Sequence, residues 1–285
     1  MLAATILALT SAGLHAAWNL LVKTSDDRDL AAWGQFLCGG ILVTPVLFII
    51  GWPDPKVYPY LIASGIIHFV YVTALVQAYH HGDFSLAYPL ARGGGALLAA
   101  LGGVVLLGDV LGAWQWVAIA IVTGGLLSLI RPGTAAASIG WAVGTAITIA
   151  SYTLVDSAGA RLGSERMDAV QYGFALMPFA AVAISVGNIA RRRLAAFRAV
   201  LPEMVRRYAL AGSFLVVAYT LVLVAVRSAP VGYVTMLRES SVVMGALAGW
   251  LFLHERLGRS RVVSSLVIVT GLVLLIAFAN RASEV

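Results

Sequence analysis

Two arginines stand inside apolar runs where charge is expensive. Arg92 and Arg238 each lie seven or eight residues into such a run, about 10–12 Å from its start at 1.5 Å per residue. A charge at that depth costs about 2.5–3.5 kcal/mol on insertion scales, so such residues are functional candidates by default. A guanidinium fork there suits a carboxylate or a phosphate. The plainer reading is that each arginine snorkels to its nearer interface or holds a backbone carbonyl. Glu239 follows Arg238 directly and points about 100° away on a helix, placed either to neutralise an arginine or to take up a proton. His15 is a second proton-coupling candidate because an imidazole titrates near neutral pH. Asp156 is a third, although it sits near the end of its run, where the interface would solvate it as readily.

The surrounding polar residues recur at helical spacing. One run carries Ser11, His15, Trp18 and Asn19, and another carries Ser64, His68 and Tyr71. Others carry Tyr88, Arg92 and Gly95; Thr145, Thr148, Tyr152 and Asp156; and Arg238, Ser241 and Gly245. One polar stripe on each of five helices describes a shared, water-accessible interior. Trp18, Tyr71, Tyr88, Tyr152 and Tyr233 add aromatic faces that can stack on a substrate, whereas Tyr58, Tyr60 and Trp114 read as interface anchors. His80 and His81 are adjacent and close to a loop, with no third ligand at a helical offset, so no metal is expected.

The elements that must position these groups are membrane spans. Sixty per cent of the residues are hydrophobic, 11% are charged and the mean hydropathy is +0.91, which excludes an ordinary soluble domain. About ten apolar segments have membrane length, including 206–226 and 231–253. The expected fold is all-α and polytopic: ten transmembrane helices as two inverted five-helix repeats. Residues 92–130 laid on 238–276 pair Arg92 with Arg238, Gly103 with Gly249, Asp109 with Glu255 and Gly125 with Gly271. Five spans per copy is odd, so the second copy enters the bilayer from the opposite face, as in secondary transporters with a midplane site. The repeats are read as 1–130 and 139–280, with 131–138 as a small, polar linker. The connection 190–205 is long enough for an interfacial helix. Pro89 and Pro178 are expected to kink their helices, and glycines such as Gly95, Gly103 and Gly245 to let helices approach closely.

The basic balance, +6 with a pI of 9.7, does not point to nucleic acid. Most of the charge belongs to loops after odd-numbered spans, half of it in the stretch 191–207, and faces lipid headgroups. That bias places both termini outside. The first run lacks a basic leader region and carries His15, Trp18 and Asn19, so it reads as a retained helix. Cys38 is the single cysteine. No nucleophile elbow, Walker A sequence or zinc pair is present, so an enzyme and a cofactor are not expected. Both repeats lie in one chain, so a monomer suffices.

His15-Ala16-Ala17-Trp18-Asn19, the stretch Gly82 to Gly93 and Leu237-Arg238-Glu239-Ser240-Ser241 resemble motifs of EamA-type members of the drug/metabolite transporter superfamily. Gly108-Asp109-x-Leu111 and His254-Glu255-Arg256-Leu257 resemble the acidic turns that end the fourth and ninth helices of that family. The resemblance spans the whole chain. It implies a ten-helix fold with a central cavity, and export of small metabolites, commonly amino acids including aromatic ones, from the bacterial inner membrane. It also implies cytoplasmic termini, against the charge count. Small multidrug relatives use a glutamate midway along helix one; His15 occupies about that place here. The competing expectations are an exporter of hydrophobic cations and a lipid-processing membrane enzyme.

Overall fold

The computed structural model describes residues 1–25, 27–80, 84–130, 136–253 and 259–279. The first half contributes α1 (Leu2–Lys23), α2 (Arg28–Ile50), α3 (Tyr58–His80), α4 (Phe84–Leu107) and α5 (Ala113–Leu127). The second contributes α6 (Ala136–Arg161), α7 (Arg166–Ala190), α8 (Leu194–Ala225), α9 (Val231–Arg238), α10 (Ser240–Leu253) and α11 (Arg259–Ala277). Long runs of Leu, Ala, Val and Ile become helices because in lipid only a helix or a closed barrel satisfies every backbone group. Their ends carry local stop signals. Asp27 accepts from the N–H groups of Asp29 and Leu30 at the start of α2. Gly51 (φ 90°) ends α2 and Gly108 (φ 70°) follows α4, both in the left-handed region that glycine enters without strain.

Seven of the described helices are long and apolar enough to cross a membrane. With the shorter α5 and α11, and with α9 and α10 counted together, the spans number ten. Two expectations about them need correction. The span 231–253 is not continuous: it tightens at Glu239, whose N–H donates to Met236 O at 3.0 Å. The connection between spans seven and eight is also far shorter than 190–205. Only Arg191–Arg193 intervene, and α8 runs for 32 residues from Leu194 through Pro202. Polar Arg198, Glu203 and Arg206 are helical residues outside the apolar part. The expected linker 131–138 falls largely outside the described residues.

Packing partners exchange between the halves. Helix α3 packs on α6 as α8 packs on α1, and α4 packs on α6 as α9 and α10 pack on α1. Helix α2 lies against α8 as α7 lies against α3, while α2–α7 and α5–α11 each pair an element with its own counterpart. The two halves are therefore interleaved rather than side by side. Where they cross, residues are small. A Cβ on Gly95 would meet Ile149 Cγ2 at 2.7 Å, and one on Gly232 would meet Ala100 Cβ at 2.6 Å. Close backbone approach supplies the dispersion contacts that hold helices together in lipid. Gly245 does not follow its expected role: nothing lies within 4 Å of where its Cβ would be.

Candidate functional site

Alternation of the spans brings the C-terminal ends of α4 and α6 and the N-terminal end of α9 to the membrane face at which α1 begins. Helix α9 is buried at all eight of its positions, and Arg238 closes its inner end. Arg92, from the middle of α4, is equally buried. The two arginines differ in what they touch. Arg92 Nη2 lies 2.6 Å from Glu239 Oε1, and its Nε donates to Oε2 at 3.3 Å. This two-pronged pair is enclosed, with side-chain exposures of 8% and 3%. The pair neutralises Arg92 within the protein.

No carboxylate among the described residues makes an ion pair with Arg238. Its guanidinium carbon stands 5.7 Å from the Tyr219 ring centroid, and its Nε is buried without a hydrogen-bond partner. Ser241 Oγ, one turn further along, is likewise buried and unpartnered. So is Trp18 Nε1 on α1, which packs against both α9 and α10. Trp18 meets His15 edge-on at 4.8 Å between ring centroids. Both arginines lie within electrostatic reach of His15 and of Tyr152. Arg238 Nε, Ser241 Oγ and Trp18 Nε1 are thus three buried donors without an acceptor among the described residues, and each such donor costs about 1–3 kcal/mol until an acceptor meets it.

Beside this charge stands an aromatic wall. Tyr152 stacks on His68 at 4.3 Å, Tyr71 meets Tyr152 edge-on at 5.5 Å, and Tyr219 meets Tyr152 at 5.9 Å. His68 is anchored through Nδ1 to Ser64 O at 2.9 Å. Asn19 spends an amide hydrogen on His15 O at 2.8 Å, one turn back on its own helix. Of the aromatic candidates, Tyr233 turns away and shares a 2.7 Å hydrogen bond with Thr5. The side chain of Tyr88 lies outside the described residues.

Asp156 is not solvated at an interface. It is fully buried, and two phenols donate to it: Tyr172 to Oδ1 at 2.9 Å and Tyr219 to Oδ2 at 2.6 Å. The same Tyr219 ring thus touches Arg238 on its face and Asp156 through its hydroxyl. Sequence reasoning passed over Tyr219. Its signal was faint but present, because Tyr219 and Thr220 are the only polar side chains in the apolar run 214–226.

Comparison with known proteins agrees with this architecture. Residues 136–277 match the EamA-like transporter family. The chain carries an EamA-like transporter domain. This is a family of the drug/metabolite transporter superfamily, and with apolar helices in both halves the chain is a multi-pass membrane protein. No curated protein matches it in sequence. A solved structure described only as the crystal structure of a protein matches with a TM-score of 0.73 at 17% identity, covering 97% of this chain and 99% of that one. At that identity the likeness concerns the fold, and it extends over both halves.

Proposed function

We propose that this EamA-like protein carries small carboxylate-bearing metabolites, amino acids including aromatic ones, by alternating access to a site between its halves. The halves are 1–130 and 139–280, and the direction is export across a bacterial inner membrane. The observation that carries the reading is the asymmetry of the arginines: Arg92 is neutralised by Glu239, whereas Arg238 keeps a buried Nε without a partner. A substrate carboxylate takes the Arg238 fork, with Trp18 Nε1 and Ser241 Oγ as further donors. Tyr152, Tyr71 and His68 offer faces for an apolar or aromatic side chain. The Arg238 guanidinium, which has no ion pair among the described residues, disfavours a hydrophobic cation at the same place.

Exchange of a panel of labelled amino acids in proteoliposomes, with and without a pH gradient, tests the reading. Saturable exchange that Arg238→Ala abolishes, in protein that folds normally, is the expected result. Stronger flux of cationic dyes than of amino acids would overturn it. Proton coupling through His15, Glu239 or Asp156 belongs to the same proposal, and the response to the gradient tests it.

A further inference from the structure

A second polar cluster lies at the far end of α9 from Arg238, outside the substrate site. Asp109, in the turn after α4, points its carboxylate across to the second half. Its Oδ2 accepts from the N–H of Val231, the first residue of α9, at 2.6 Å. Its Oδ1 lies 2.8 Å from Arg161 Nη1 at the end of α6. Arg161 turns its other two nitrogens to the α8–α9 connection: Nε donates to Val226 O at 2.8 Å and Nη2 to Ala229 O at 3.3 Å. Arg227, in that connection, donates to Ala160 O at 2.9 Å. Gly103 lets the carboxylate in, since a Cβ there would meet Asp109 Oδ2 at 2.8 Å.

We propose that Asp109 and Arg161 form a latch that holds this mouth of the carrier shut, and that α9 transmits its state to the substrate site. The inference rests on the alternating-access reading above. Four ends meet in the cluster: that of α4 from one half, and those of α6, α8 and α9 from the other. Opening this face separates α4 from α9, and the contact that separation must break is the one Asp109 makes. Helix α9 is short enough to move as a unit, spanning about 10 Å between Val231 and Arg238 at 1.5 Å per residue. Its inner end is the tightened turn at Glu239, a place where a helix bends with little loss of hydrogen bonding. Latch and anion-binding arginine are therefore the two ends of one rod. Arg161 keeps 24% of its side chain exposed, so water reaches the latch from outside.

Thr235 provides the readout. It is buried and lies one turn from Arg238 toward the latch, on the same side of α9. In a Cys38→Ala background, a cysteine introduced by Thr235→Cys is labelled with a membrane-impermeant maleimide, in right-side-out and in inside-out membrane vesicles. Arg161→Gln and the isosteric Asp109→Asn are compared with the parent, and melting temperature reports folding. The expected result is labelling about tenfold faster from the face where α1 begins, the shift produced when a charge-assisted hydrogen bond is lost from only one of two states. Labelling from the opposite face falls in step, and Arg161→Lys lies between. Unchanged labelling in either folded variant overturns the latch. Faster labelling from both faces also overturns it, because a merely loosened fold admits reagent from both. The assay needs no substrate. Absence of flux for every amino acid alongside reciprocal labelling would remove the substrate assignment and leave the latch standing.

Discussion

Arg92 and Glu239 are 147 positions apart in sequence and 2.6 Å apart in space, joined in an ion pair that neither repeat can form alone. The pair decides how the two related arginines divide their work. Arg238 occupies the position in the second repeat that Arg92 occupies in the first, yet among the described residues Arg92 is the one of the two in an ion pair with a carboxylate. The repeat places the two arginines at matching positions but gives them different partners.

Arg92→Ala is expected to damage the fold rather than the substrate contact. It leaves Glu239 buried and unpaired, at a cost of about 3–5 kcal/mol. The double variant Arg92→Met with Glu239→Met removes both charges and should recover most of that loss. Thermal denaturation of the two variants and of Glu239→Met alone closes the cycle. A double variant no more stable than Arg92→Ala would show that the ion pair is not what the arginine contributes.

Arg238→Ala should behave in the opposite way. Among the described residues it has no ion pair whose loss would strand a charge, so stability is expected to be kept. Substrate affinity is expected to fall about 30-fold or more, as for a buried charge contact truncated on one side. Calorimetric titration with the transported amino acid reads this directly. A matched loss of melting temperature would assign Arg238 to the fold.

Tyr219 separates two roles in one side chain. Tyr219→Phe keeps the ring under Arg238 but removes the 2.6 Å hydrogen bond to Asp156, at a cost of about 1–3 kcal/mol of stability. Tyr219→Leu removes the ring as well and should weaken substrate binding by up to about tenfold through the lost cation–π contact. Equal affinities for the two variants would show that the ring face plays no part in holding Arg238.

Gly232 and Gly245 test the packing. A methyl group at position 232 would lie 2.6 Å from Ala100 Cβ and 3.0 Å from Ala100 Cα, so Gly232→Ala should cost about 1–3 kcal/mol. Gly245→Ala meets no atom within 4 Å and should be neutral or stabilising by up to about 1 kcal/mol through helix propensity. The melting temperature should therefore fall for Gly232→Ala and hold or rise for Gly245→Ala.

The apolar runs, the polar stripes and the depth of Arg92 and Arg238 were legible along the chain. Each is a local property: a hydrophobic segment in lipid must satisfy its own backbone, and a charge within it stands out against its neighbours. The break at Glu239 was not legible, because 231–253 reads as one apolar run and the tightened turn involves only its backbone. Nor was the burial of Asp156, whose distance from the end of α6 says nothing of the two tyrosines that α7 and α8 bring to it. Asp109 stood out only as part of a turn, until α9 and Arg161 arrived from the other half. The sequence by itself determined that this chain crosses a membrane as two related halves with charge in its interior. Only the tertiary structure decided which arginine is held in an ion pair and which, among the described residues, is not. Pairing depends on distances between segments more than a hundred residues apart, and those distances exist only once the helices have packed.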